Sequence, residues 1–298
     1  MLWLATAELA AAVSNADALG IISPFAGMKR HGDPIENLHL QLVKARSLTK
    51  KPFGINILLD LEKSGMLIDM ALQEGAKIVI TAGGDPHYYT ELLCKGGVKV
   101  LYVVSNVKQA QIAESCGVNA VIAEGVEAAA HLGFDELPLF SLIPQVADAV
   151  SIPIIAAGGI VDARGLVAAI TLGAEGVQLG TRFVAVEENI ANPKYKQAIL
   201  EAKDTDTIIT CRRMLPTRSL KTDFTRCLLE LEESGASADD IRNFLGYSRA
   251  RTGQLEGDLE NGEAYCGASA GLIKEIIPAA MVVQNLVEGY EKILRKII

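Results

Sequence analysis

The sequence predicts an α/β protein: a (β/α)8 barrel with a helical appendage over the C-terminal ends of its strands. Three observations predict it. Short aliphatic runs recur along the chain with helical stretches between them. Several of those stretches end in glycine just before the next run, at Gly75, Gly97, Gly117 and Gly173. Two successive runs themselves end in glycine, Ile155-Ala156-Ala157-Gly158-Gly159-Ile160 and Gln178-Leu179-Gly180-Thr181-Arg182-Phe183. Glycine admits the left-handed conformation that closes a helix, and strand, helix, glycine, strand in repetition indicates a parallel sheet. Paired glycine strand ends, one βα unit apart, match the phosphate cradle after the seventh and eighth strands of such a barrel. There, main-chain N–H groups approach an anion closely and a helix N-terminus adds its dipole.

The elements follow in order. A helix is expected over 6–15, capped by Thr6, with Glu8 in its first turn and Leu9 and Val13 on one face. Strands are expected at 19–23, 53–58, 78–82, 100–104, 120–124, 154–157 and 177–180. That is one fewer than a closed barrel requires, and the deficit lies at the front, where no strand precedes the first helix. An open doubly wound sheet is the alternative architecture. After Phe183 the repeat stops. Helices are expected at 194–203, 223–234 and 238–245, interrupted by Pro216, and an apolar helix at 279–297. These divide the chain into a barrel at 1–191, a helical lid at 192–265 and a segment at 266–298 that returns to the barrel.

Composition narrows the function. The chain has 298 residues, 50% hydrophobic but only 5% aromatic, which suits aliphatic strands buried on both faces. Its net charge of −8 argues against a nucleic-acid partner. The five cysteines form no CxxC pair, so neither a disulfide framework nor a zinc site is expected, and a reducing cytoplasm is the expected setting. The N-terminus lacks the basic region of a signal peptide, and no uncharged apolar run is long enough for a bilayer.

Chemistry is expected at the strand C-termini. Asn56 interrupts an apolar strand, and its amide needs partners that either a flat heteroaromatic ring or an ordinary capping contact supplies. His131, one of four histidines, follows the 120–124 strand by a short loop, and an unperturbed imidazole has its pKa near neutrality. Proton transfer, contact with an anion, or a plain loop position all fit it. His31, His39 and His87 carry weaker claims. No Ser-His-Asp order, HExxH, Walker A pattern or metal-ligand spacing is present. Arg212, Arg213, Arg218, Lys221 and Arg226 concentrate positive charge, read either as a solvated face or as a landing site for an anionic substrate, a cofactor phosphate or an acidic carrier.

Together these residues resemble the nitronate monooxygenase (2-nitropropane dioxygenase) family of FMN flavoproteins, to which FMN-dependent enoyl-acyl-carrier-protein reductases are related. The likeness runs through residues 7–15, Lys51-Pro52-Phe53-Gly54-Ile55-Asn56, Glu124-Gly125-Val126-Glu127-Ala128, both glycine segments and Gly267-Ala268-Ser269-Ala270-Gly271. It implies an FMN oxidoreductase in which Gly158, Gly159, Gly180 and Thr181 bind the FMN phosphate beside Gln178 and Leu179. Asn56, Glu124, Ala129 and Ser269 would lie at the flavin, and His131 would occupy the catalytic-histidine position. The implied partners are a nitronate, dioxygen and a second copy of the chain, with no metal, nucleic acid or membrane. An NAD(P)H-dependent enoyl reductase and a non-catalytic flavin-binding relative are the alternatives.

The chain departs from the family pattern at two places. Ala129-Ala130 stand where a Gly-Gly pair usually precedes the histidine, and Ala16-Asp17-Ala18-Leu19-Gly20 replaces Ala-Gly-Gly-Leu-Gly. The extra Cβ atoms predict either crowding against the flavin or backbone angles that alanine disfavours.

Overall fold

A computed structural model describes residues 1–246 and 248–297. Seven strands form one parallel sheet: β1 (Gly20–Ile22), β2 (Phe53–Leu58), β3 (Ile78–Ala82), β4 (Lys99–Val104), β5 (Ala120–Glu124), β7 (Ile154–Ala157) and β8 (Gly176–Gln178). They lie in chain order, and the two edge strands, β1 and β8, are not paired with each other. The short β6 (Ala130–His131) belongs to a second sheet. The seven expected strands are therefore all present, and among the described residues no strand joins β1 to β8.

Side-chain alternation sorts each strand into two layers. Ile55, Ile57, Val121, Ala123, Ile154 and Ala156 pack outward into the main core beneath the helices. Ile80, Leu101, Ala120, Ile122 and Ala157 form a separate apolar plug inside the barrel. The same alternation aims Asn56, Glu124 and Gln178 inward, above that plug. Gly75, Gly97, Gly117 and Gly173 all take positive φ, ending helices as the sequence predicted.

The helical layer crosses the seam that the sheet leaves open. The last helix, Ala279–Ile297, packs against Ala163–Thr171 on one side and Ala7–Asn15 on the other. Gly289 permits the first approach: a Cβ there would stand 2.5 Å from Ala163 Cβ. Thr6 caps the Ala7–Asn15 helix, accepting from the Leu9 N–H.

The appendage is not wholly helical. Helices Pro193–Glu201, Asp223–Glu233 and Ala238–Leu245 lie where expected, but a hairpin of β9 (Thr207–Thr210) and β10 (Thr217–Leu220) precedes the second. The β-branched run Thr207-Ile208-Ile209-Thr210 accounts for it. β10 also pairs antiparallel with β6, so this small sheet ties the appendage to the loop after β5.

Candidate active site

The two glycine strand ends converge. β7 and β8 are adjacent and parallel, with Ala157 opposite Gln178, so Gly158-Gly159 and Leu179-Gly180 leave neighbouring strands at the same end. The segment 267–269 crosses over both. The Gly267 N–H donates to Thr181 Oγ1 at 3.0 Å, and a Cβ on Gly159 would lie 3.4 Å from Ser269 Oγ. Gly158 and Gly159 have φ of +108° and +66°, which only glycine adopts freely. A Cβ on Gly180 would meet nothing within 4 Å. The N–H groups of Gly158, Gly159, Gly180 and Thr181 have no acceptor among the described residues. Free amides, a threonine hydroxyl, a serine hydroxyl and an open space beside a glycine are what a phosphate requires.

Glu127 holds this arrangement from beneath. Its carboxylate accepts the Leu139 N–H through both oxygens (3.0 and 3.1 Å), capping helix Leu139–Ala149, while its carbonyl accepts from Ala268. Ala129 lies beside Gly267, its N 3.8 Å from where a Cβ on that glycine would stand. Leu179 follows β8 directly and packs against the core.

Three inward polar side chains sit above the plug. Asn56 Nδ2 donates to Ile80 O at 3.3 Å, so one donor is engaged by the neighbouring strand. Glu124 ends β5, and burial pushes its carboxyl up to about 7. Gln178 ends β8.

His131 stands on β6, opposite Thr217 of β10, rather than in a loop. Its Nδ1 lies 3.0 Å from Thr217 Oγ1, which gives its own hydrogen to Leu215 O at 2.8 Å. With that hydrogen committed, the threonine oxygen can only accept, so Nδ1 carries the proton and Nε2 keeps a lone pair in the neutral ring. The side chain reaches solvent, yet protein surrounds it closely enough that desolvation pulls its pKa below the ordinary value, against the field of Asp60. Thr217 and Tyr265 flank the ring on the protein side.

Two departures from the family pattern resolve differently. Ala130 has φ of +66°, the strained angle expected where glycine is usual, whereas Ala129 does not have a positive φ. Asp17 also takes φ of +64°, in the turn that ends the first helix. Three of the five residues of the basic run are engaged within the chain. Arg212 pairs with Glu136, Arg226 with Asp223, and Arg218 donates to Val126 O and Thr207 Oγ1. An open groove of about 780 Å³ lined by Lys221, Arg226 and Glu230 lies in the appendage and shares no residue with the site. Among the described residues, no cluster of His, Cys, Asp or Glu could hold a metal, and no helix is long and apolar enough to cross a membrane.

Sequence reasoning missed Thr217, Glu127 and Tyr265, whose ring packs against His131. The β-branched hairpin run was the available signal for the first. Nothing local marks the other two.

Comparison with known proteins identifies the family. A family model described as nitronate monooxygenase matches residues 1–67 and 63–289. A probable nitronate monooxygenase of Staphylococcus saprophyticus is 29% identical over 337 residues, covering 98% of this chain and 93% of the relative. A (3aS,4S,5R,7aS)-5-hydroxy-7a-methyl-1-oxo-octahydro-1H-indene-4-carboxyl-CoA dehydrogenase of Rhodococcus jostii is 34% identical over 300 residues, covering 96% of this chain and 80% of the relative. The structure of FabK from Thermotoga maritima superposes with a TM-score of 0.93 at 39% identity, covering all of this chain and 92% of the other. The chain belongs to the nitronate monooxygenase family of oxidoreductases, to which the FabK enoyl reductases are related.

Proposed function

We propose that this chain is an FMN-dependent oxidoreductase that oxidises alkyl nitronates with dioxygen, with His131 as its proton-handling group. The observation that carries the reading is the contact of His131 Nδ1 with Thr217 Oγ1, whose hydrogen goes to Leu215 O, which leaves Nε2 for a substrate, with partial desolvation favouring the neutral ring. A neutral imidazole with a free lone pair accepts a proton from a carbon acid. Taking the α-proton of the nitroalkane form turns His131 into an imidazolium facing the nitronate it has produced, so one residue serves as base and then as counter-charge.

The free amides of Gly158, Gly159, Gly180 and Thr181, with the Thr181 and Ser269 hydroxyls, would hold the FMN phosphate. Asn56, Glu124, Gln178, Leu179 and Ala129 would lie along the ring system. Bound FMN supplies the redox chemistry, taking electrons from the nitronate and passing them to dioxygen. Residues 267–269 would close the site over the phosphate end.

A second reading, an NAD(P)H-dependent enoyl-thioester reductase, is favoured by the 39% identity to FabK along the whole chain and by the carboxyl-CoA relative. It requires His131 to begin as an imidazolium and deliver a proton, which burial opposes. The nitronate monooxygenase family match over residues 1–289 and the probable nitronate monooxygenase relative put the nitronate reading first.

Anaerobic mixing of the flavin-loaded protein with a nitronate tests it. Bleaching without NAD(P)H, and return of the yellow colour in air, is the expected result. Bleaching by NAD(P)H alone, with turnover of an enoyl thioester, overturns it in favour of the second reading. No bleaching by either supports a flavin-binding relative without catalysis.

A further inference from the structure

Thr217 fixes one end of the His131 ring, but a single hydrogen bond leaves the ring free to rotate about its own axis and swing its far nitrogen. A second residue meets it. Tyr265 joins β10 through an antiparallel bridge to Ser219, two residues beyond Thr217, and brings its ring edge-on to the imidazole with centroids 5.9 Å apart and planes at 61°. Edge contacts of this kind are orientation-dependent and worth about 0.5–1.5 kcal/mol beyond area burial.

Tyr265 is itself fixed at three points. Its backbone bridges to Ser219, its carbonyl accepts the Tyr195 hydroxyl, and its own hydroxyl donates to Glu263 Oε2 at 2.9 Å. Glu263 is 7% exposed, and its N–H donates to Arg249 O. A carboxyl buried to that degree is destabilising unless it is hydrogen-bonded, and phenylalanine with an apolar residue at 263 would fill the same space without that cost. Packing alone does not account for the pair. A phenol whose orientation must be held does.

We propose that Tyr265, braced by Glu263, is a positioning residue that sets the plane of the His131 ring and so fixes the direction in which Nε2 points. Thr217 selects the tautomer and Tyr265 selects the direction. Glu263 touches neither His131 nor the reacting atoms and acts only through the phenol. This rests on the assignment of His131 as the proton-handling group, but the geometry it predicts exists whatever the reaction.

The test uses the full-length protein labelled with 15N-histidine, with the His131 ring signals identified by their loss in His131→Gln. Wild type is expected to show Nδ1 protonated and Nε2 bare, with one set of signals. Tyr265→Leu is expected to average the two nitrogens through tautomer and ring exchange, and to lower kcat by roughly tenfold or more while KM changes little. Tyr265→Phe, which keeps the ring but frees it from Glu263, is expected to give part of both effects. Glu263→Gln, whose amide oxygen still accepts the phenol hydrogen, is expected to behave as wild type.

The proposal is overturned if Tyr265→Leu and Tyr265→Phe both keep the wild-type ring signals, or if they alter only thermal stability or KM. Should Tyr265→Leu fail to fold, the Tyr265→Phe and Glu263→Gln pair decides by the same signals. The nitrogen signals need no turnover, so absence of nitronate activity in wild type would count against the proposed function and leave this result standing on its own.

Discussion

His131 and Thr217 face each other across the β6–β10 ladder, 86 residues apart in sequence, with Nδ1 and Oγ1 separated by 3.0 Å. Because Thr217 gives its hydrogen to Leu215 O, the contact fixes a tautomer as well as a position. It also makes the appendage part of the site, since β10 carries the residue that orients the histidine of β6.

Replacing Thr217 with Val removes the acceptor and keeps the shape. His131 then loses its preferred tautomer, and kcat/KM is expected to fall by about tenfold, whereas His131→Gln is expected to lose roughly 10²–10⁴-fold. Steady-state kinetics with a nitronate, alongside flavin content, check both. Equal flavin content with unequal rates assigns the loss to proton handling.

Ala130 and Ala129 make opposite predictions. Holding Ala130 at φ of +66° costs about 1–2 kcal/mol, while glycine would add about 0.4–1 kcal/mol of unfolded-chain entropy to be lost. The first term is larger, so Ala130→Gly should stabilise by roughly 0.5–1 kcal/mol. Ala129 is not strained in this way, so Ala129→Gly should destabilise by up to about 1 kcal/mol. Urea midpoints of the two variants measure the difference.

Gly180 and Gly159 separate cofactor binding from folding. A Cβ on Gly180 enters open space at an ordinary φ of −109°, so Gly180→Ala should leave stability within about 0.5 kcal/mol. If a phosphate uses that space, FMN affinity should fall about tenfold, a loss of about 1.4 kcal/mol. Gly159→Ala adds left-handed strain and a contact of 2.9 Å with Glu127 Cβ, so it should lose both FMN and stability. Fluorescence titration with FMN and thermal melts, run together, distinguish them.

Glu124 gives a pH dependence. Burial raises its carboxyl from 4.5 to about 7 in the folded chain, so between those values the unfolded state ionises while the folded state keeps its proton. Stability is therefore full below pH 4.5, falls as the pH rises towards 7, and levels off above it. The fall is about 1–3 kcal/mol, the carboxyl being partly accessible. Glu124→Gln removes the ionisation, so its urea midpoint should change less than wild type over that range and be higher at pH 8.

Much of this was legible in the chain itself. The strands 53–58, 78–82, 120–124 and 154–157 and the helix 238–245 fall where the aliphatic runs and caps place them, because local periodicity carries that information. Gly158, Gly159 and Gly180 were legible for the same reason: a strand ending in glycine states its own backbone requirement. The expected strain resolved onto Ala130 and Asp17 and spared Ala129, since only the folded path of the backbone says which residue turns left-handed.

The sequence by itself determined a parallel barrel with glycine-ended strands at its rim, since alternation, glycine stops and strand-end glycines are properties of neighbouring residues. Only the tertiary structure decided what surrounds His131. Thr217 and Tyr265 reach it through antiparallel pairings in the appendage, and Arg218, exposed by any local reading, turns inward to Val126 O and Thr207. Long-range strand register fixes those contacts, and register follows from the packing of whole faces rather than from any pattern near the residues themselves.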